Sequence, residues 1–515
     1  MHSLIHEDTK NKFSYCLTPF AFLLLLLLLA LCGCEKKSSS QKAPEKAKPA
    51  AIKPVPVKHG DINLKETKLA IIPENYDSWL NIAFSRDGRQ VFYKAKKKSE
   101  EFMVAASISG EKTSPGYESI FWLIMSPDGR RCAFGGEKSG KQRLVIDTTE
   151  LTDLYHHEVV APNSFSPDSR FVAIEVGGFK EKEWFVTLLD GEKEVYRSRV
   201  YPDTYRSASF SPDGRVLVFE LGDDKNKEKN QKRTLFFLDV FSRKIIKKRM
   251  YTDYRIGRLS FSSDSSRVIY NLQKEGKNFL VLNDFAVNEE RTVELPYTLE
   301  GKPVLSPDGK HIITSVTKEG KRYLVVSSWK SPTQGKESGP YDAIIQPGFV
   351  PGSKAVSYHA MKEGKWRSVV GGEEGKSYDA VGDAPGWSPD GSRIAYPANL
   401  GGHPDRMGIV GGKWFMVLSP AGKPAAVKEG TAYDMVVTPV WSPDGKYIAY
   451  RARTGTMENA KRFIVIADAE TGKVVKEGTV GDEVWPPVWS ADSKAVGYGA
   501  RIGRELWWKV EKLEK

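Results

Sequence analysis

From about residue 66 onward, short apolar runs alternate with polar, glycine-rich breaks. The runs have the period of two that turns successive side chains to opposite faces of a strand. Arg393-Ile-Ala-Tyr396 and Tyr447-Ile-Ala-Tyr450 are two of them, and each is followed by a loop and a second β-rich run, Trp414-Phe-Met-Val-Leu418 and Phe463-Ile-Val-Ile466. The breaks before the first runs share one phrase: Phe84-Ser-Arg-Asp-Gly88, Met125-Ser-Pro-Asp-Gly129, Phe165-Ser-Pro-Asp-Ser169, Phe210-Ser-Pro-Asp-Gly214, Phe261-Ser-Ser-Asp-Ser265 and Leu305-Ser-Pro-Asp-Gly309. It continues as Phe349-Val-Pro-Gly-Ser353, Trp387-Ser-Pro-Asp-Gly391, Trp441-Ser-Pro-Asp-Gly445 and Trp489-Ser-Ala-Asp-Ser493, making ten units spaced 38 to 54 residues apart.

The phrase has the chemistry of a hairpin turn. Pro presets φ at the first central position, Asp tolerates the second, and Gly accepts the left-handed conformation that follows. Each unit therefore predicts an inner strand, the turn, a second strand, a loop, a third strand and a short outer strand. A β-rich period near forty is that of a propeller blade, so the fold class is all-β: a β-propeller of about ten four-stranded blades. Ten exceeds the usual four to eight, which leaves two smaller propellers as the alternative, but the spacing shows no obvious interdomain linker and favours one large ring. The last unit supplies an inner, a second and a third strand before the chain ends. The β-rich segment Leu64 to Ile72 is predicted to fill its outer place and close the ring.

The phrase Phe/Trp-Ser-Pro-Asp-Gly-Lys/Arg-x-apolar-Ala-Tyr resembles the PD40 repeat, the WD40-like propeller repeat of the TolB type, over residues 68 to 515. The resemblance implies propeller blades and says little about function. TolB-type proteins carry an α/β domain ahead of the propeller; a different leader stands in that place here, so their partners are not carried over.

That leader changes the picture of where the protein works. Lys10 and Lys12 precede an apolar run from Phe20 to Leu31 with seven consecutive leucines, as in a secretory signal. Leu31-Cys32-Gly33-Cys34 resembles the lipobox of bacterial lipoproteins, which implies cleavage after residue 33 and lipid attachment at Cys34; an uncleaved membrane anchor is the alternative. Residues 34–65 are rich in Lys, Pro, Ala and Ser and read as a spacer, leaving 66–515 for the propeller. Nine lysines against four acids from Glu35 through Lys68 carry about five of the formal +12, so the charge points to a solvated spacer beside anionic lipid and not to nucleic acid. Of four cysteines only Cys132 lies in the blades, which excludes an internal disulfide there, and its apolar setting suits a small buried hydrophobe.

A tyrosine lies nine to eleven residues before most turns: Tyr76, Tyr117, Tyr155, Tyr201, Tyr251, Tyr297, Tyr341, Tyr378 and Tyr433, four of them followed by Asp. By position they fall on the face opposite the turns, where Tyr341, Asp342, Tyr378, Asp379, Tyr433 and Asp434 could ring a channel mouth and hold a peptide, a sugar polymer or a cation. The preferred reading is that each tyrosine wedges between blades while Asp makes a turn, as befits a residue repeated in nine of the ten units. Units differ in three insertions on that same face, 222–232, 400–407 with His403, Asp405 and Arg406, and 451–461, and binding residues favour loops on a rigid frame. No catalytic or cofactor motif is found, and His156-His157, neighbours on a strand, point to opposite faces and make a poor metal site. The expectation is a non-enzymatic, membrane-anchored scaffold of the cell envelope, without cofactor or metal, that binds an envelope protein or a cell-wall polymer. The alternative is a carbohydrate-active propeller enzyme with carboxylates converging in the channel.

Overall fold

The computed structural model describes residues 61–151, 159–178, 183–204, 208–222, 232–382, 385–405, 408–456 and 458–513. Blade nine shows how the repeat becomes structure. Its strands Met435–Trp441, Tyr447–Thr454, Lys461–Asp468 and Val474–Glu477 pair antiparallel in chain order. The middle strands are apolar on successive residues because a neighbouring blade covers each face. Tyr450 and Val465 pack on Met416 and Leu418 of blade eight, whereas Ala449, Ile464 and Ile466 pack on Trp489, Val496 and Tyr498 of blade ten. Fully burying a side chain such as Ile464 contributes about 1.5–3 kcal/mol, and sandwiching every blade in this way builds the core as a belt between sheets.

Ten such sheets are arranged in a ring, each touching the next at its inner strand. Trp441 and Trp489 donate their indole N–H to the carbonyls of Gly386 and Val440 on the preceding blade, both at 3.0 Å. The tenth blade closes on the first, which decides for one ring over two propellers. Thr67–Ile71 pairs antiparallel with Glu505–Lys512 as the outer strand of blade ten, Thr67 opposite Trp508 and Ile71 opposite Glu505. Trp508 donates to the carbonyl of Asn63 at 2.9 Å, and Trp485 to that of Ile82 in blade one at 2.8 Å. The fit is close: a Cβ on Gly88, in the turn of blade one, would lie 2.0 Å from the Trp508 ring. Among the described residues the packing of the ring includes Ile62, 6% exposed, which joins Leu69 and Ile72 against Trp508.

The turns are self-contained. In Ser442-Pro-Asp-Gly445 the serine hydroxyl donates to Asp444 Oδ1 at 2.6 Å and accepts the Tyr447 N–H at 3.0 Å, while Asp444 accepts the Lys446 N–H at 3.1 Å. The last turn residue is left-handed in unit after unit, at φ +70° in Gly129, Gly214, Gly391 and Gly445. Where Ser169, Ser265 and Ser493 replace glycine they keep φ between +59° and +64°. Each offsets the strain by accepting a backbone N–H from the preceding blade: Asp128, Asp213 and Asp444, at 3.1, 3.1 and 3.0 Å.

Candidate functional site

On the face opposite the turns, four of the repeated tyrosines are withdrawn from the channel mouth into the seams between blades. Tyr117, Tyr341, Tyr378 and Tyr433 are at most 6% exposed. Each stands at the end of one blade and reaches the outer strand of the next. Tyr117 donates to Glu150 at 2.8 Å, Tyr341 to Glu374 at 3.2 Å, Tyr378 to Glu429 at 2.8 Å and Tyr433 to Glu477 at 2.7 Å. Burial, reinforced by the carboxylate partner, pushes these phenols well above their ordinary pKa, so they stay protonated and donating. The interblade wedge is the role the geometry assigns to Tyr341, Tyr378 and Tyr433, and their candidacy for a ligand-facing ring is corrected accordingly.

Asp342, Asp379 and Asp434 do lie on this face, and each clips two hairpins together. Asp342 accepts Lys321 of blade six at 2.6 Å and the Glu363 N–H of blade seven at 2.9 Å. Asp379 joins Lys365 to the Gly401 N–H at 2.8 Å, and Asp434 joins Lys413 at 2.5 Å to the Gly455 N–H at 2.8 Å. The lysine hydrogen bond, followed by the backbone N–H, holds all three carboxyls below the usual carboxylate range. From blade six to blade nine the rim is therefore a chain of hairpins tied end to end.

One hairpin outgrows the others. The insertion that composition reads as a loop continues as a ribbon, Arg393–Asp405 paired with Gly408–Pro420 out to Asp405 opposite Gly408. The corresponding strands of blade nine have 8 residues where these have 13, an excess of about 16 Å at roughly 3.3 Å per residue. Gly401 and Gly412, at φ +81° and +67°, face each other between the pairs Leu400–Lys413 and Gly402–Gly411 and let the ribbon kink at its base. The base is pinned on both sides, at Gly401 by Asp379 and at Lys413 by Asp434. His403 and Val410 are exposed on the ribbon, and Asp405 ends its first strand. Arg406, Tyr155, His156, His157, Cys34 and most of the 222–232 insertion lie outside the described residues. Cys132 is buried, its thiol against the Asp147 carbonyl at 3.4 Å, and burial pushes the thiol pKa far up.

Among the described residues no three His, Cys, Asp or Glu side chains stand together as a metal site. Of the inner-strand carboxylates, Glu300 is tied to Arg322 and Thr317, and Glu483 to Arg501, on separate blades. The sequence reading missed a polar position on the second strand, directly after its central aromatic residue, that differs from unit to unit. It holds Glu220 in blade four, Asn271 in blade five, His359 in blade seven and Arg451 in blade nine. Glu220 pairs with Arg233 at 3.3 Å. His359 is fully buried against Tyr396, ring centroids 5.1 Å apart, and neither ring nitrogen has a hydrogen-bond partner. The signal was in view: one polar residue set in an apolar run, as in Tyr358-His-Ala360 and Tyr450-Arg-Ala452.

The ring resembles solved propellers at low sequence identity. No family model and no curated protein matches the chain. Among solved structures it is similar to the dihydro-heme d1 dehydrogenase NirN in complex with DHE, at 15% identity and a TM-score of 0.35, over 61% of this chain and 66% of that one, just under two thirds of its length. It is similar to a eukaryotic initiation factor at 13% identity and a TM-score of 0.44, over 74% of this chain and 96% of that one. TolB from Acinetobacter baumannii is similar at 13% identity and a TM-score of 0.27, over 52% of this chain and 82% of that one. These likenesses concern the fold, and the propeller assignment rests on the blade pairings described above.

Proposed function

We propose that the chain is a binding scaffold of the cell envelope, tethered by a lipid on Cys34 and presenting its hairpin face to an envelope protein or a cell-wall polymer. The observation that carries this reading is the asymmetry between the faces. The turns repeat one hydrogen-bonded pattern from blade to blade, whereas the opposite hairpins vary in length and culminate in the ribbon of blade eight. A frame with ten interlocked blades holds such tips at low conformational cost, which is what a recognition surface needs. The leader and lysine-rich spacer supply reach from a membrane.

Site-specific photo-crosslinking in cells tests it. A photoreactive residue at His403 or Glu458, on the hairpin face, is expected to trap a discrete adduct; one at Asp308, on the turn face, is not. Adducts from Asp308 alone would assign the wrong face. For the anchor, Cys34→Ala should abolish incorporation of a labelled fatty acid, and label retained in that variant would overturn the lipidation.

A further inference from the structure

The inner ends of blades nine and ten enclose a cavity of about 240 Å³ at the hairpin-face end of the channel wall, lined by Met435, Arg451, Arg462, Glu483, Val484 and Trp485. Its charge is unbalanced. Arg451 reaches across from the second strand of blade nine, donating from Nη1 to the Val484 carbonyl at 3.3 Å and from Nη2 to Thr438 Oγ1 at 3.2 Å. Its Nε is shut off from solvent without a hydrogen-bond partner, and no described carboxylate lies within ion-pair distance. Burial alone, with no acid to offset it, pulls the guanidinium pKa below its ordinary value. Among the described residues the Arg462 guanidinium is committed only to a backbone carbonyl, that of Asp482 at 2.6 Å. The two acids nearby are already engaged: Arg501 holds Asp482 at 3.2 Å and Glu483 at 3.4 Å.

A charged group partly withdrawn from water normally finds a counter-charge, because an unpaired one loses hydration that nothing replaces. Blade four shows the ordinary solution at the same strand position, where Glu220 is matched by Arg233. Blade nine leaves the match out and places an opening there. Beside it Trp485 is held rigid, its indole N–H on the Ile82 carbonyl and its ring 5.0 Å from that of Phe84. We infer that this cavity binds a carboxylate carried on an aromatic or apolar body, the carboxylate on the Arg451 guanidinium with Arg462 beside it, and the body against Trp485 and Met435. The volume falls short of the roughly 300–1,000 Å³ of drug-sized sites and suits one end-group: a small aromatic acid, or the last residue of a peptide.

The full chain, held in detergent, is titrated with benzoate and with its neutral analogue benzamide, following heat release and melting temperature. Benzoate is expected to bind and to raise the melting temperature, with benzamide at least about tenfold weaker because it lacks the charge the guanidinium pairs with. Arg451→Gln should abolish binding without lowering the melting temperature of the free protein, and Arg462→Gln should weaken it. Lys310→Gln, on the turn face, should bind as the parent does. Should Arg451→Gln fail to fold, Arg451→Lys keeps the charge, loses the planar fork and should retain only weak binding. Absence of benzoate binding by the parent, equal affinity for benzamide, or unchanged affinity in folded Arg451 and Arg462 variants would overturn the site. A tripeptide ending in Phe, as free acid and as amide, separates the sources: free acid far tighter than benzoate identifies a chain end, equal affinity a small acid. The measurement needs neither the lipid nor a partner, so its failure leaves the hairpin-face cross-links to decide the scaffold reading separately.

Discussion

The two faces of the ring solve the same problem, joining strands, in opposite ways. On the turn face a five-residue phrase closes its hydrogen bonds within itself, and the serine variants add a bond to the preceding blade. On the hairpin face the bonds run between units: an aspartate from one linker ties the hairpins of two blades, and a tyrosine from one blade seats on a glutamate of the next. The first device can be repeated without regard to neighbours and so is nearly invariant. The second fixes only the base of each hairpin, which frees its tip to lengthen. Repetition marks the frame, and departure from it marks the surface whose shape is free to vary.

The largest expected effect comes from removing the support under both faces. Deleting 64–72 takes the outer strand from blade ten and the cover from Trp508, leaving an open edge and a split seam. The melting temperature should fall by many degrees, whereas deleting 36–49 from the spacer should leave it almost unchanged. Equal effects in a thermal melt would mean that the ring does not depend on its closure.

Acid should next separate the interior from both faces. His359 is buried without a hydrogen-bond partner and its pKa is pulled by burial from 6.5 to about 4. A base depressed in the folded state stabilises fully above its unfolded pKa and loses that contribution as pH falls from 6.5 to about 4, a loss of roughly 3 kcal/mol at about 1.4 kcal/mol per unit. The aspartates act lower. Asp390 on the turn face is drawn to about 2 by Ser388, and Asp342, Asp379 and Asp434 are lowered by their lysines. Their contribution is complete above the ordinary carboxylate value near 3.8 and drains as pH falls toward 2. Melting temperature against pH should therefore drop in two steps, and His359→Asn, which borrows the residue of blade five, should remove only the upper one. Persistence of the upper step in that variant would place its origin elsewhere.

At the turns, Gly445→Val forces a β-branched residue to φ +70° and should cost roughly 1–3 kcal/mol while leaving hairpin-face cross-links intact. Gly445→Ser should cost distinctly less. Space is open there, with Pro389 the nearest heavy atom at 3.7 Å from a built Cβ, and serine occupies the equivalent place in Ser493. A serine variant as unstable as the valine one, measured by denaturant unfolding, would show that backbone strain is not what the glycine avoids.

Much of this frame could be read directly from residues. The Ser-Pro-Asp-Gly phrase announces its own geometry because all its hydrogen bonds are local, and the missing tenth outer strand could be found by counting. The tyrosines were visible, but their role was not: Glu150, Glu374, Glu429 and Glu477 follow them by 33, 33, 51 and 44 residues, distances that carry no motif. The 400–407 insertion reads as a loop because its glycines are ordinary loop residues, and only the pairing across Gly402 and Gly411 turns them into the kink of a ribbon. Arg451 was in view as the start of the 451–461 insertion, but its role was hidden for the same reason as the tyrosine partners, since the absence of a carboxylate around it is a property of two blades packed together.

The smallest effect on stability is expected where the effect on recognition is greatest. Replacing 402–411 by a two-residue turn removes the ribbon but keeps Leu400, Gly401 and Lys413, so the clips to Asp379 and Asp434 survive. The excised strands have no blade covering them and expose His403, Pro404 and Val410, so little apolar burial is lost and the melting temperature should move within about a degree of the parent. Cross-linking from Glu458, on the neighbouring hairpin, should nevertheless fall sharply if the ribbon supplies contact area to the same partner. Asp434→Ala provides the reverse control, since it unpins the base while leaving the ribbon in place. It should cost up to about 1 kcal/mol of stability, as an exposed ion pair with one backbone bond would, and reduce cross-linking only in part. Full cross-linking without the ribbon, together with none in Asp434→Ala, would mean that the clipped rim itself is the recognition surface and that the ribbon is a bystander.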